Sequence, residues 1–168
     1  MSTFNLAPFG EVSAGQYYSQ IASVEGQEIH IELDLEEIEA LDEALPTLNA
    51  LSSFLPKLNE HTQRAHNAIL RAFHEDHEWA KAYVDHHLAE LSNEDLKAII
   101  GTNPEQASAE QLAKNLRLHA ISSAPLSEDD EESHLASFDF TVGKEYTNYV
   151  LTVKFALDAT ISEIAMES

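Results

Sequence analysis

Residues 17–35 read YYSQIASVEGQEIHIELDL, and their patterning decides the architecture. From Ile29 the alternation is strict. Ile29, Ile31, Leu33 and Leu35 fall on one side of an extended chain, while Glu28, His30, Glu32 and Asp34 fall on the other. Successive side chains of a strand point to opposite faces, so this is a strand with one buried and one wetted face. The stretch before it, 16–24, carries Tyr17, Tyr18, Ile21 and Val24, and Glu25-Gly26 lies between the two runs. A glycine there supplies the positive φ that a two-residue hairpin turn demands. An N-terminal β-hairpin is expected, with Gly26 as its turn residue.

The same period of two returns at the other end of the chain. Phe138, Phe140 and Val142 alternate with Asp139 and Thr141; Tyr149, Leu151, Val153, Phe155 and Leu157 then alternate with Val150, Thr152 and Lys154. These are two antiparallel strands. Residues 158–160 turn the chain into a last strand whose apolar side is Ile164 and Met166, and Ile161, having the wrong parity, is placed at a bulge. A strand over 116–122, with Leu116, Leu118 and Ala120 aligned, precedes them.

Between the two ends the spacing is helical. Residues 36–54 are rich in Leu, Ala and Glu, with Pro46 ending or kinking the first piece, and Pro56 opens the next helix, since proline is tolerated in a first turn. Leu58, Ala65, Ile69, Phe73, Ala80, Val84, Leu88 and Leu91 form one amphipathic stripe, interrupted near Asp76. Ser92 followed by Asp95 is an N-terminal cap for a short helix that ends at Gly101, with Pro104 shortly beyond. Ser108 and Gln111 repeat the cap for 109–115, and 127–133, with five consecutive acids at its centre, reads as a solvated loop between strands. Strands that are apolar at only every second residue bury one face and leave the other to water. The expected fold is therefore α+β: one domain over 1–168, with the hairpin and the C-terminal strands sharing one antiparallel sheet of about six strands and the helices on one face.

Composition bounds the partners. The 168 residues carry a formal charge of -21, and ten Asp and Glu but no Lys or Arg precede Lys57. Such a surface repels phosphate, which excludes nucleic acid and anionic membranes as partners and favours a basic protein. With 43% hydrophobic residues in periodic runs the chain is no disordered polyanion. Cysteine is absent, so disulfides, thiolate metal sites and cysteine nucleophiles are out, and a reducing cytosol suits it. The opening MSTFNLAPFGEV has neither a basic nor an apolar leader segment, and no apolar run approaches the ~18 residues of a membrane span. A soluble cytoplasmic protein is expected.

Phe9-Gly10, the 17–35 hairpin, the helical middle and the closing FDFTVGKEYTNYVLTVKFALDATISEIAMES together give the chain a resemblance. It resembles the uncharacterised bacterial proteins grouped as domain of unknown function 2004, with SEIAMES the most specific part. That family has no established activity, so the resemblance implies a fold and no chemistry. The chain departs from the family pattern at Thr160, where a turn glycine is usual.

Histidine is the one residue type in functional excess: six of nine lie between His61 and His87. His74 and His77 lie three apart on a helical pattern and could converge on a metal, with Asp85 about two turns on. Against this, the HExxH spacing is missing and no helical Glu lies three residues before a His, as di-iron bundles require. The plainer reading puts these histidines on the solvent side of an amphipathic helix, with His86 and His87 pointing different ways. His30 and His119 belong to the solvent faces of strands. No bound metal and no cofactor is expected.

No catalytic residue stands out. There is no GxSxG elbow and no phosphate loop, the five glycines are scattered, and acid pairs are expected from abundance alone. Tyr17, Tyr18, Tyr146 and Tyr149 are read as core before pocket. Trp79 falls off the stripe through Ala80 and Val84, so an exposed indole there would mark a contact surface, unless packing between helices buries it. Three functions stay open. The first is a non-enzymatic interaction module binding a basic partner through Glu28, His30, Glu32, Asp34 and Trp79, including as an immunity-type inhibitor of a nuclease or pore-forming toxin. The second is a metal-binding protein or metal-dependent enzyme using His74, His77 and Asp85. The third is a small-molecule binder with its pocket between sheet and helices. The acidity taken alone is also what solubility requires.

Overall fold

The hairpin forms as its sequence dictates. In a computed structural model that describes residues 1–101, 109–125 and 134–168, β3 (Tyr17–Val24) and β4 (Gln27–Asp34) pair antiparallel around Glu25 and Gly26, with φ of 50° and 79°. Two consecutive positive φ values make the turn whose twist matches the flanking strands. Ahead of it, β1 (Phe4–Leu6) and β2 (Gly10–Val12) form a separate two-stranded ribbon that tucks Leu6 and Val12 into the core.

After β4 the chain forms α1 (Leu41–Phe54), a 3-10 turn (Leu55–Lys57), α2 (Leu58–His74), α3 (Glu78–Glu90), α4 (Asn93–Ile100) and α5 (Ala109–Lys114). It returns to the sheet as β5 (Arg117–Ser123), β6 (His134–Thr141), β7 (Val150–Ala156) and β8 (Ile161–Glu167). Strands β3 to β8 stand in sequence order in one six-stranded sheet with the helices on one side, an α+β fold. Among the described residues no helix is long and apolar enough to cross a membrane.

One feature of the sheet corrects the expectation. The β4–β5 pair is parallel and only the others are antiparallel. Alternation reveals which face of a strand is buried, not which way the strand runs. A chain that leaves β4 through helices and comes back beside it makes a crossover, which a parallel pair needs.

The core lies between the sheet and the helices. Ile31 and Leu33 of β4, Phe138 and Phe140 of β6, and Leu151, Val153 and Phe155 of β7 are all buried in one apolar cluster with Leu48, Leu51 and Phe54 of α1. The Phe54 ring stands edge-on to Phe138 at 5.8 Å and to Phe155 at 5.2 Å. Burial of such rings is what offsets the ordering entropy of the chain.

Local signals place most boundaries. Pro56 sits in the 3-10 turn, and Asp76 at φ 56° separates α2 from α3 where the stripe was interrupted. The Ser92 hydroxyl accepts the Asp95 N–H at 3.1 Å and donates to its carboxylate at 2.7 Å, while Gly101 closes α4 at φ 75°. In β8, Phe155 faces Ile161 but Lys154 faces Glu163, so Ser162 is an extra residue and Ile161 lies at a bulge. Three expectations shift. Helix α1 begins only at Leu41 and runs through Pro46, which is exposed, as is Asp42, so the carbonyl left without an N–H partner is left to solvent. A bulge between Leu118 and Ala120 resets the parity of β5, burying Ile121 in place of Ala120. Tyr17 and Tyr149, read as core, are 47% and 41% exposed. Pro104, the Ser108 cap and the 127–133 loop lie outside the described residues.

Candidate functional site

Because the helices cover one face, the other face of the sheet is open, and the strand registers write out its rows. One row runs Ile21, His30, Ala120, Asp139, Thr152, Ala165 across β3 to β8. The next runs Ser19, Glu32, Ser122, Ser137, Lys154, Glu163. On β4 the expected residues Glu28, His30, Glu32 and Asp34 share this face, opposite Ser23, Ile21, Ser19 and Tyr17.

Charge on this face is uneven. Near β8 the acids are compensated, since Lys154 Nζ lies 3.5 Å from Glu163 and 3.6 Å from Glu167. Near β4 they are not: among the described residues Glu28, Glu32 and Asp34 make no ion pair, and Asp34 only accepts the Glu36 N–H at 2.9 Å. The Tyr17 phenol is pushed above its ordinary value by desolvation, then by its hydrogen bond to the Glu32 carboxylate, and then by the negative charge of Glu32, Asp34 and Glu36.

The centre of the face is half-buried. Asp139 accepts the Thr152 hydroxyl at 2.7 Å; burial raises its carboxyl pKa, opposed by that hydrogen bond and by His119 and Lys144. His119 is held below the ordinary imidazole value by burial first and by Lys144 next, against the pull of Asp139 and Glu32. It therefore carries less positive charge at neutral pH than a free imidazole would.

The remaining expected residues lie elsewhere. Trp79 is 42% exposed but belongs to α3, on the helical layer, so it does not join the strand-face residues. His74 ends α2, with Nε2 3.7 Å from a Glu110 oxygen that also pairs with Lys114, and His77 precedes α3. The chain reversal at Asp76 puts the two histidines on different elements, which overturns their placement on one helical turn. Asp85 is exposed on α3, and among the described residues no group of three or more His, Asp or Glu could hold a metal.

The solvent reading of the histidines also needs correction, because His61 and His87 are 5% and 2% exposed. His87 donates from Nδ1 to the Tyr83 carbonyl at 2.7 Å, leaving Nε2 buried without a partner among the described residues. The buried Tyr83 hydroxyl accepts the Val142 N–H at 3.1 Å and donates to the Tyr149 carbonyl at 3.3 Å, tying α3 to the start of β7. The signal was present in the periodicity: His61 lies three residues after Leu58 and four before Ala65, and His87 lies three after Val84.

Two hollows flank the sheet. A cavity of about 390 Å³ between α2 and the start of β5 is lined by Thr62, His66, Arg117 and Phe140, among others. His66 donates to the Ala113 carbonyl at 3.1 Å and stacks on Phe140, while the buried Thr62 hydroxyl has no partner among the described residues. A groove of about 630 Å³ lies beside β3, with Ala7, Pro8, Ala22, Ile31, Leu55 and Leu58 in its wall. Compared with known proteins, the chain matches no family model, no curated protein and no solved structure.

Proposed function

We propose that the protein is a non-enzymatic interaction module that captures a basic partner protein on the β4 side of its open sheet face, as an immunity-type inhibitor of a nuclease or pore-forming toxin would. The observation that carries the reading is the row of Glu28, Glu32 and Asp34, turned outward in register and making no ion pair among the described residues. A cationic surface meeting that row is steered to it, and salt weakens the encounter within about 8 to 10 Å of screening.

The test is a Glu32→Lys/Asp34→Lys double variant in a pull-down at low and moderate salt. Those side chains point away from the core, so the fold survives while like charges now face the partner. Wild type is expected to recover basic proteins, less at moderate salt, and the variant to recover none. Equal recovery by both, or no basic protein with either, refutes electrostatic recruitment through this strand.

A second reading has its own observation. The unpartnered Thr62 hydroxyl beside the cavity that holds His66 and Arg117 suits a small polar molecule between sheet and helices. Thr62→Val tests it: a vacant site gains about 1 kcal/mol of stability from losing an unpaired hydroxyl. A site occupied in purified protein loses its ligand and stability instead.

A further inference from the structure

We propose that β3 is the docking edge for the partner: an extended segment adds to the sheet beside β3, with basic side chains turned to the open face and apolar side chains turned into the groove. This rests on the basic-partner reading above and deepens it.

The edge is open and its bonding groups can be assigned. Strand β3 is the first in the sheet and, among the described residues, pairs only with β4. Around a two-residue turn the flanking pair, Val24 and Gln27, exchanges both backbone hydrogen bonds, and every second pair follows. The Gln16 carbonyl, accepting the Leu35 N–H at 2.9 Å, keeps this phase at the far end. Residues 18, 20, 22 and 24 thus spend their backbone groups on β4. Tyr17, Ser19, Ile21 and Ser23 aim N–H and C=O at the free edge.

That edge lacks the protection edges normally carry. Charge, proline or a covering element ordinarily blocks pairing with another chain. At the opposite edge β8 carries Glu163 and Glu167. Strand β3, YYSQIASV, has neither charge nor proline, although 23% of the whole chain is charged. Ser19, Gln20 and Ile21 are all exposed, Ile21 at 57%.

The surroundings specify the occupant. A strand laid about 4.8 Å from β3 alternates its side chains between two environments. On the helix side lies the groove whose wall holds Ala22, Leu55 and Leu58, with Lys57, Asn59 and Glu60 in the same wall. On the open side lie Tyr17 and Ile21, then the unpaired Glu28, Glu32 and Asp34 one strand further in, about 10 Å from the new strand and within reach of long lysine or arginine side chains. Alternating apolar and basic residues fit both. A second copy of the chain fits worse, since two molecules of charge -21 would bring two β4 acid rows together. Main-chain pairing with alternate side chains in pockets is an established way for one sheet to bind another protein's segment.

The probe is a ten-residue peptide alternating lysine and valine, followed by amide exchange on the full chain. Slowed exchange at Ser19, Ile21 and Ser23 is expected, with a loss of about tenfold or more in affinity when the peptide is N-methylated along its bonding edge. A peptide alternating glutamate and valine is expected not to bind. Binding without protection at those amides, or unaffected by N-methylation, overturns the edge. If such binding is still abolished by Glu32→Lys/Asp34→Lys, the basic-partner reading survives alone. Equal affinity for the glutamate peptide overturns both readings. Protection that grows with protein concentration and no peptide makes a second copy the occupant and overturns the proposal.

Discussion

The His61 ring lies flat on the Phe54 ring, centroids 3.9 Å apart and planes 6° apart. The imidazole acts here as an aromatic packing piece, seated also against Phe155 at 5.8 Å and accepting from Arg64 Nη1 at its Nδ1, 3.1 Å away. The same arginine bonds the Ala159 carbonyl at 2.9 Å, so one cation joins α2 to the turn before β8 and cannot tolerate a second positive charge on His61.

Acid sensitivity follows. Burial first, then Arg64, lowers the His61 pKa; burial, with His86 adding to it, lowers that of His87 against its bond to Tyr83. A histidine whose folded pKa is depressed binds protons more readily unfolded, so its stability contribution is whole above about 6.5 and is lost as pH falls from there through the folded value. The thermal midpoint should drop between pH 7.5 and 5.5, and more shallowly in a His61→Phe/His87→Phe variant. An identical slope in the variant would assign the acid response to other groups.

Phe140 tests the core. It is 1% exposed on β6 and stacks on His66. Phe140→Ala removes the ring and leaves a cavity, which should cost about 3 to 5 kcal/mol, a large part of a typical domain's stability. A denaturant midpoint within error of wild type would mean that the ring does not hold sheet and helices together.

How much of this was legible in the sequence depends on the kind of constraint. The parity of Ile31 and Leu33 against Glu32 and Asp34, the turn at Gly26, the break near Asp76 and the bulge at Ile161 are local, and all could be read directly. The parallel pairing of β4 with β5 is not local, because side-chain alternation is the same in either direction. The β5 bulge hid because Leu118 and Ala120 keep a strand's spacing until the partner's register is known. Strands β1 and β2 are three residues each, too short for any period to show. The row Glu28, His30, Glu32 and Asp34 was legible as a face, but the absence of ion pairs to its acids among the described residues and the groove beside β3 depend on distant residues such as Lys154 and Leu58.

The turn between β7 and β8 contains avoidable strain. Ala159 has φ 66°, a left-handed conformation that costs a residue with a Cβ about 1 kcal/mol, while Asp158 accepts both the N–H and the hydroxyl of Thr160 at 3.0 and 2.6 Å. Those bonds let Thr160 serve at this turn without glycine. Ala159→Gly should therefore stabilise by about 0.5 to 1 kcal/mol, and Thr160→Gly, which loses both the hydroxyl bond and chain stiffness, should destabilise. Chemical denaturation checks both, and stabilisation by Thr160→Gly would place the strain at the wrong residue.

The β4 acids should cost the free protein stability, which is what separates a surface kept for binding from one that is merely soluble. Glu32 and Asp34 are two residues apart on one strand, about 7 Å, where two like charges repel by about 0.6 kcal/mol in water before screening. Neither makes an ion pair among the described residues, and burial lowers the pKa of His119 nearby. Added salt should therefore raise the denaturation midpoint of the free protein while weakening capture of a basic partner. Glu32→Gln should act in the same two directions, gaining a few tenths of a kcal/mol in stability and losing affinity. A midpoint that falls with salt, or a Glu32→Gln variant that is no more stable than wild type, would show that the row is relieved within the molecule and not held in reserve for a partner.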